Sequence, residues 1–370
     1  MKKFRILYIV SNLSKTGPIL QLFNIVKYLD RNTFEPIVLT ISPEDTTSMI
    51  DKFLELDVKI DSLNMPKRVF PKKSTYLDKV LKFDPHIVHS HGLRPDFIVA
   101  SLPEGCCAKF STAHCDPFED YPRMYGVAGI LAAGLHIKVW SRIQNLIACS
   151  GSLSSKLYTK YRLKSSIILN SSDIRQRFMA EIDHRKEFSQ KASDKKYTFI
   201  FVGVLVKIKN LYTLLDVFRE LEDEVKLVVI GDGAERKKLE KVAPNNVVFL
   251  GWQRDVAPFL TEADAFISLS LSEGLPTAVL EALALGKPVI LSNIPAHSEI
   301  MLLAESERVR IGTLVEPTNI QSICEVIKSF THEEFDHRAI EKFFERHFSP
   351  DIMSEKYQRM YIEEISKTRR

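Results

Sequence analysis

An α/β fold of two doubly wound domains is predicted for this chain by three observations. Short β-branched runs alternate with amphipathic helical patterns, the alternation fades once near the middle and restarts, and the strands of the second half end in Gly or Ser just before a helix. A chain of 370 residues also exceeds what one hydrophobic core usually organises. In open sheets of this kind ligands bind outside the carboxyl ends of the strands, and two such domains side by side are expected to hold a ligand in an interdomain cleft.

From the N terminus, residues 6–10 read as a first buried strand. The two lysines before this apolar run resemble the start of a signal peptide, but the run is short, lacks a small-residue cleavage pattern and leads into Asn12 and Ser14. A helical pattern follows at 20–29, a strand at 37–41 and a helical segment near 48–56, with further strands at 87–89, 108–111 and 146–148. The apolar run 125–140 is interrupted by His136 and Lys138 and falls short of the roughly 20 residues that span a bilayer. Between 171 and 196 the chain turns charged and loses apolar periodicity, which marks a linker. The second half places strands at 197–203, 225–231, 247–250, 265–268 and 288–291, with a helix at about 211–220. The expected domains are 1–170 and 195–347.

Composition narrows the function. With 51 basic against 47 acidic residues the net charge is only +4, too balanced for a dedicated nucleic-acid binder, so any anionic partner must meet a local patch. The five cysteines, Cys106, Cys107, Cys115, Cys149 and Cys324, are odd in number and contain no C-x-x-C pair. That argues against a disulfide framework and a zinc site, and fits a reducing, cytoplasmic setting.

The most informative stretch is LSEGLPTAVLEALALGKPV, residues 271–289. Pro276 suits the first turn of a helix, Gly286 suits its C-terminal stop, and the helix between them is apolar apart from Glu281. Glu273 therefore falls in the loop before the helix. Backbone N–H groups at that helix start, near Leu275 and Thr277, suit a diphosphate, and a carboxylate on either side suits hydroxyl groups. The plainer alternative is a capping carboxylate and a solvated helix residue.

Two glutamates separated by seven residues, in an S-E-G-L-P context and followed by E-A-x-A-x-G-x-P-V, resemble the hallmark of retaining GT-B glycosyltransferases of family 4, of the bacterial surface-polysaccharide type. The resemblance implies that Glu273 contacts hydroxyls of a donor sugar and Glu281 the ribose, with Gly274, Leu275, Pro276 and Thr277 completing the donor loop. FVGVLVKIKN resembles the strand-and-loop motif that contributes Gly203 and a phosphate-binding lysine, here Lys209. VVIGDGAERKKLE resembles the family's G-D-G turn, with Gly231 and Gly233; as a dinucleotide fingerprint it fails, because Arg236 takes the third glycine position. LSKTGP carries Gly17 of the family's glycine-rich loop, with Thr16 where a second glycine is usual. STAHCDPFEDY sets His114 where the family has a histidine near the transferring sugar. The implied catalytic set is His114, Lys209 and Glu273. The run FSPDIMSEKYQRMYIEEI resembles the closing helix, 350–368, that crosses back to the first domain.

The implied activity is that of a hexosyltransferase. It moves a hexose or N-acetylhexosamine from a nucleotide sugar, UDP-linked by family habit, to a glycan acceptor on a lipid carrier. No cofactor is expected. No D-x-D triplet occurs, so metal independence is also expected, with Lys209 and the helix N-terminus balancing the diphosphate charge. His89 and His91 flank one residue of a strand and share a face, a spacing read as packing or hydrogen bonding rather than metal ligation. One departure stands out: Val204 follows Gly203 where the family commonly has arginine, and Lys207 lacks the forked geometry to replace it. That departure motivates a rival, a donor-binding scaffold of weak activity; a nucleotide-sugar epimerase of the same fold is the other. Finally, PKRVFPKK, 66–73, interleaves Lys67, Arg68, Lys72 and Lys73 with Phe70, and with the apolar run 125–140 it suggests peripheral docking on the inner face of the cell membrane.

Overall fold

The computed structural model describes residues 3–67, 69–182 and 196–368; Arg68 and the middle of the expected linker lie outside them. The chain divides into two compact units, Met1–Ser171 with Pro350–Arg370, and Ser172–Ser349.

In the first unit the elements run β1 Phe4–Val10, α1 Gly17–Lys27, β2 Phe34–Thr40, α2 Ile50–Glu55, β3 Lys59–Ser62, α3 Lys73–Lys82, β4 Ile87–Ser90, α4 Leu93–Ser101, β5 Ala108–Ala113, α5 Pro117–Tyr125, α6 Val127–Trp140, β6 Asn145–Ala148, α7 Gly151–Tyr161 and β7 Ser166–Ile167. The sheet order is β3-β2-β1-β4-β5-β6-β7, with every pairing parallel. Ile6, Leu7, Tyr8 and Ile9 are fully buried, as a central strand covered on both faces requires. The sequence reading missed β3 and β7. Both are short edge strands in which Ile60 is the single apolar residue not exposed, so no apolar run announces them.

The run 125–140 folds as part of a helical hairpin. α5 and α6 turn at Gly126, whose φ is +60°, and pack closely because a Cβ at Gly129 would lie 2.1 Å from the Tyr121 carbonyl oxygen. Behind α6, Asp96 is fully buried and fully bonded: Ser90 and Ser111 donate to Oδ1 at 2.6 and 2.8 Å, and the Trp140 indole donates to Oδ2 at 2.9 Å. The outer face of α6 is apolar as well. Val127, Ile130, Leu131 and Leu135 are exposed on it, next to Met124 and Tyr125 of α5. Among the described residues no helix is long and apolar enough to cross a membrane.

The second unit begins with α8 Ile174–Ile182, which corrects the expected linker. The arginines that broke the periodicity there are ion-paired, Arg175 with Glu341 at 2.9 Å and Arg177 with Asp173 at 2.8 Å, while Ile174 is buried. Then follow β8 Tyr197–Val202, α9 Leu211–Glu220, β9 Val225–Ile230, α10 Arg236–Val242, β10 Val247–Gly251, α11 Ala257–Glu262, β11 Ala265–Ser268, α12 Thr277–Ala284, β12 Val289–Ser292, α13 Pro295–Ser306, β13 Gly312–Val315, α14 Ile320–Phe330 and α15 His337–Phe348. The order β10-β9-β8-β11-β12-β13 is that of a dinucleotide-binding fold, and the winding reverses between β8 and β11.

The last helix, α16 Pro350–Thr368, belongs to the first unit. Met353, Tyr357, Tyr361 and Ile365 recur every four residues and are buried in the core formed by β1, α1 and β2. Ser354 Oγ donates to the Ile25 carbonyl at 2.9 Å, and the Asp30 amide donates to Gln358 Oε1 at 2.9 Å.

Candidate active site

In the second unit the candidate residues gather where the winding reverses. After β8 the chain passes Gly203 and forms a single 3-10 turn, Lys207–Lys209. Asn210 ends the turn at φ +54°, and its side chain holds that conformation by donating to the Pro317 carbonyl at 2.9 Å and accepting from Thr213 Oγ1 at 2.8 Å. The Leu271 amide donates to the Ile208 carbonyl at 2.9 Å, which ties this turn to the loop after β11. Lys209 Nζ thereby meets Glu273 Oε1 at 2.5 Å, both side chains being largely buried.

Burial pushes the Glu273 carboxyl up, but the Lys209 ammonium, aided by His297 and the Ser270 hydroxyl, outweighs it and holds the carboxyl below its usual range. Glu273 is therefore an anion with one strong partner, and Lys209 a cation at the carboxyl end of β8. Such a pair offers an acceptor for hydroxyl groups and a positive centre for a diphosphate.

The glycines of this unit serve loop packing. A Cβ at Gly231, where φ is +135°, would lie 1.9 Å from the Gly203 carbonyl oxygen, and one at Gly233 would lie 2.4 Å from that of Leu205. The Leu205 amide donates to the Asp232 carbonyl at 2.9 Å, so the two loops lie side by side. Val204 points outward and is 58% exposed.

α12 starts at Thr277, with Pro276 at the N-cap, and Gly286 follows its C-cap at φ +69°. Gly274, Leu275 and Pro276 are buried. Glu281 is buried too, which removes the solvated-residue alternative, and it acts electrostatically on Arg177 of α8.

The first unit carries a separate group of histidines at the carboxyl ends of β4 and β5. His91 Nδ1 and His114 Nε2 share a hydrogen bond at 2.9 Å. His89 is held by the Tyr361 hydroxyl at 2.6 Å and by Thr112 Oγ1 at 2.9 Å, its ring stacked on that of His91. Burial holds His89 down at about 3 and His114 at about 4, so both are neutral near pH 7. Among the described residues, no group of three or more His, Cys, Asp or Glu side chains is arranged to hold a metal ion. Gly17, expected in a loop, is the first residue of α1. In the basic run Lys67 is bound to Asp45 at 3.0 Å and Phe70 packs edge-on against Phe97.

Residues 183–346 match the model of the family described as glycosyl transferases group 1. The matched stretch contains every strand described in the second unit. Over 368 residues the chain is 26% identical to the O-antigen biosynthesis glycosyltransferase WclY of Escherichia coli, covering 96% of this chain and 98% of that one. It is 26% identical over 279 residues, 70% of each chain, to an Escherichia coli UDP-Gal:alpha-D-GlcNAc-diphosphoundecaprenol alpha-1,3-galactosyltransferase. Among solved structures, Anabaena Alr3699/HepE in complex with UDP superposes with a TM-score of 0.75 at 15% identity, over 97% of this chain and all of that one. With the two parallel sheets, that likeness makes the fold GT-B.

Three polar residues of these sites escaped the sequence reading. Arg177 lay in the supposed linker, and Asp96 had no motif around it. His297 had one usable signal, its place just past the strand end at Ser292, where ligand-facing loops begin.

Proposed function

We propose that the chain moves a hexose or N-acetylhexosamine from a UDP-linked donor to a lipid-carried glycan acceptor, with retention of anomeric configuration, in building a bacterial surface polysaccharide. The observation that carries this reading is the Lys209–Glu273 pair where the winding of the second sheet reverses. Lys209 meets the diphosphate and stabilises its developing charge, Glu273 accepts hydrogen bonds from sugar hydroxyls, and Glu281 accepts from the ribose. Gly203, Gly233 and the loop from Gly274 to Thr277 line the donor; the family resemblance assigns Gly17 to the donor and His114 to the transferring sugar. The bond from C1 to the diphosphate breaks as the acceptor oxygen bonds to C1 on the same face, and the acceptor proton leaves with the departing phosphate. No metal ion takes part. Support comes from the names of the relatives, one assigned to O-antigen synthesis and one using UDP-Gal with a diphosphoundecaprenol-linked acceptor.

A lipid-carried acceptor calls for a membrane contact, and the outer face of α6 is the surface proposed for it. Its exposed apolar residues are flanked by Arg123, Lys138 and Arg142, all exposed and without an ion pair among the described residues, which complements an anionic leaflet. The run 66–73 is the weaker candidate, since Lys67 is already paired.

The test is a panel of UDP-sugars screened for thermal stabilisation, followed by mass spectrometry and NMR of products on a diphosphoundecaprenol-linked glycan, with and without EDTA. A new α-linkage formed from an α-linked donor in EDTA is expected. An isomerised donor would establish an epimerase instead. Binding without turnover would favour the scaffold reading that exposed Val204 supports.

A further inference from the structure

His297, the third residue of α13, is completely buried, and only one of its ring nitrogens is bonded. Nδ1 lies 2.9 Å from the Ser292 carbonyl oxygen, which can only accept, so Nδ1 carries the proton and Nε2 is left with a lone pair. Nε2 has no hydrogen-bond partner although it is sealed from solvent. A buried acceptor with nothing to accept calls for an explanation.

The surroundings supply one. Ser292 Oγ donates to the Ser270 carbonyl at 2.5 Å, the Ser270 side chain bonds to the Glu273 carboxylate, and Glu273 accepts from Lys209. His297 thus closes a polar cluster whose other end is the ammonium assigned to the diphosphate. Glu273 and Lys209 are the charged groups that act on it among the described residues, the first favouring its protonation and the second opposing it. Burial above all holds the imidazole down, at about 4, with Lys209 adding to that effect.

We propose that His297 is a reserve counter-ion for Glu273: when a donor diphosphate draws the Lys209 ammonium to itself, Nε2 takes up one proton from solution. The largely buried carboxylate then keeps a positive partner, and donor binding is accompanied by net proton uptake. The inference rests on the proposed reading of Lys209. Its physical basis is that a buried charge stripped of its partner is strongly disfavoured, and that moving a cation away while an anion arrives favours the protonated imidazole twice over. His297 acts through Glu273 and is a positioning residue.

Two measurements test it. The first needs no ligand: NMR titration of carbon-13-labelled histidine, with His297 assigned through His297→Asn, in wild type, Lys209→Met, Lys209→Gln and Lys209→Met/Glu273→Gln. Loss of the ammonium should raise the His297 midpoint by at least about one pH unit, a tenfold gain in proton affinity, and the double variant should reverse most of that rise. An unmoved midpoint in both folded Lys209 variants overturns the pairing. The second is calorimetry with UDP-glucose and UDP-N-acetylglucosamine near pH 6.5, in buffers of different ionisation enthalpy. Wild type should show proton uptake and His297→Asn, which keeps an N–H for the Ser292 carbonyl, should show none. Equal uptake in both overturns the role of His297. Absence of any binding by wild type overturns the reading of Lys209 and the donor-linked uptake with it, while the ligand-free titration still decides the Glu273–His297 pairing.

Discussion

His136 Nε2 donates to Asp96 Oδ2 at 2.7 Å, joining α6 to α4 in the interior of the first unit. The Tyr121 hydroxyl bonds to His136 Nδ1 at 2.7 Å, so both ring nitrogens are satisfied and α5 is drawn into the same network. Asp96→Ala should therefore strand several buried donors at once, each worth about 1 to 3 kcal/mol. We expect a total loss of about 3 to 5 kcal/mol in urea denaturation of the whole chain. A loss under about 1 kcal/mol would mean the network contributes little.

Glu273→Gln and Lys209→Met should each lower kcat/KM for the UDP-sugar by about ten- to a hundredfold, the equivalent of a lost hydrogen bond to a charged group. Both variants should remain folded, though each leaves a largely buried group without its counter-charge and should melt several degrees below wild type. Steady-state kinetics at wild-type level in both variants would refute the assigned site.

Val204→Arg should raise the affinity for UDP or leave it unchanged. The position is 58% exposed, so a longer side chain meets no packing obstacle there, and a guanidinium beside the diphosphate adds charge-assisted donors. A weaker UDP affinity in the folded variant, measured by calorimetry, would mean that this loop runs clear of the diphosphate.

Acid should destabilise the chain well before its carboxylates protonate. His89 and His114 bind protons only near about 3 and about 4 when folded, against 6.5 for a free histidine, so between those values the unfolded chain holds more protons. Their contribution is complete above pH 6.5 and falls with pH, each histidine adding up to about 1.4 kcal/mol per pH unit. Thermal melts between pH 7.5 and 5 should show a shallower decline in His89→Asn than in wild type. Parallel curves would remove this explanation.

Membrane docking through α6 can be read by sedimentation with vesicles. Wild type should pellet with vesicles rich in anionic lipid at low salt and be released by high salt, whereas Leu131→Asp, at an exposed position, should stay in solution while remaining folded. Equal pelleting of both proteins, or of neither, would rule out this face. The earlier basic run gives a control: Lys72→Ala/Lys73→Ala should pellet like wild type.

Most of the two sheets was legible because a parallel strand covered on both faces must be apolar along its whole length, as residues 6–10 and 289–291 are. Lys59–Ser62 was not, since an edge strand can be polar. Glu273, Glu281 and Lys209 stood out because each occurs in a motif of fixed spacing. Their relations did not: the contact between Lys209 and Glu273 joins residues 64 apart and exists only once β8 and β11 are neighbours. Charge was misread for the same reason. Nothing local tells that Lys67 is bound to Asp45, or that the arginines of α8 face Glu341 and Asp173.

The return of α16 to the first unit bears on the order in which the protein is made. Met353, Tyr357, Tyr361 and Ile365 complete a core otherwise formed by residues that precede Ser172. Translation delivers that early part first and the completing helix only after all of Ser172–Ser349 has emerged. At about 5 to 20 residues per second the wait lasts roughly ten to forty seconds. During that interval the trough that receives Tyr361, lined by Phe34 and Phe110, is open on the ribosome, ready for a chaperone that grips apolar side chains. The second unit, made later, finishes earlier.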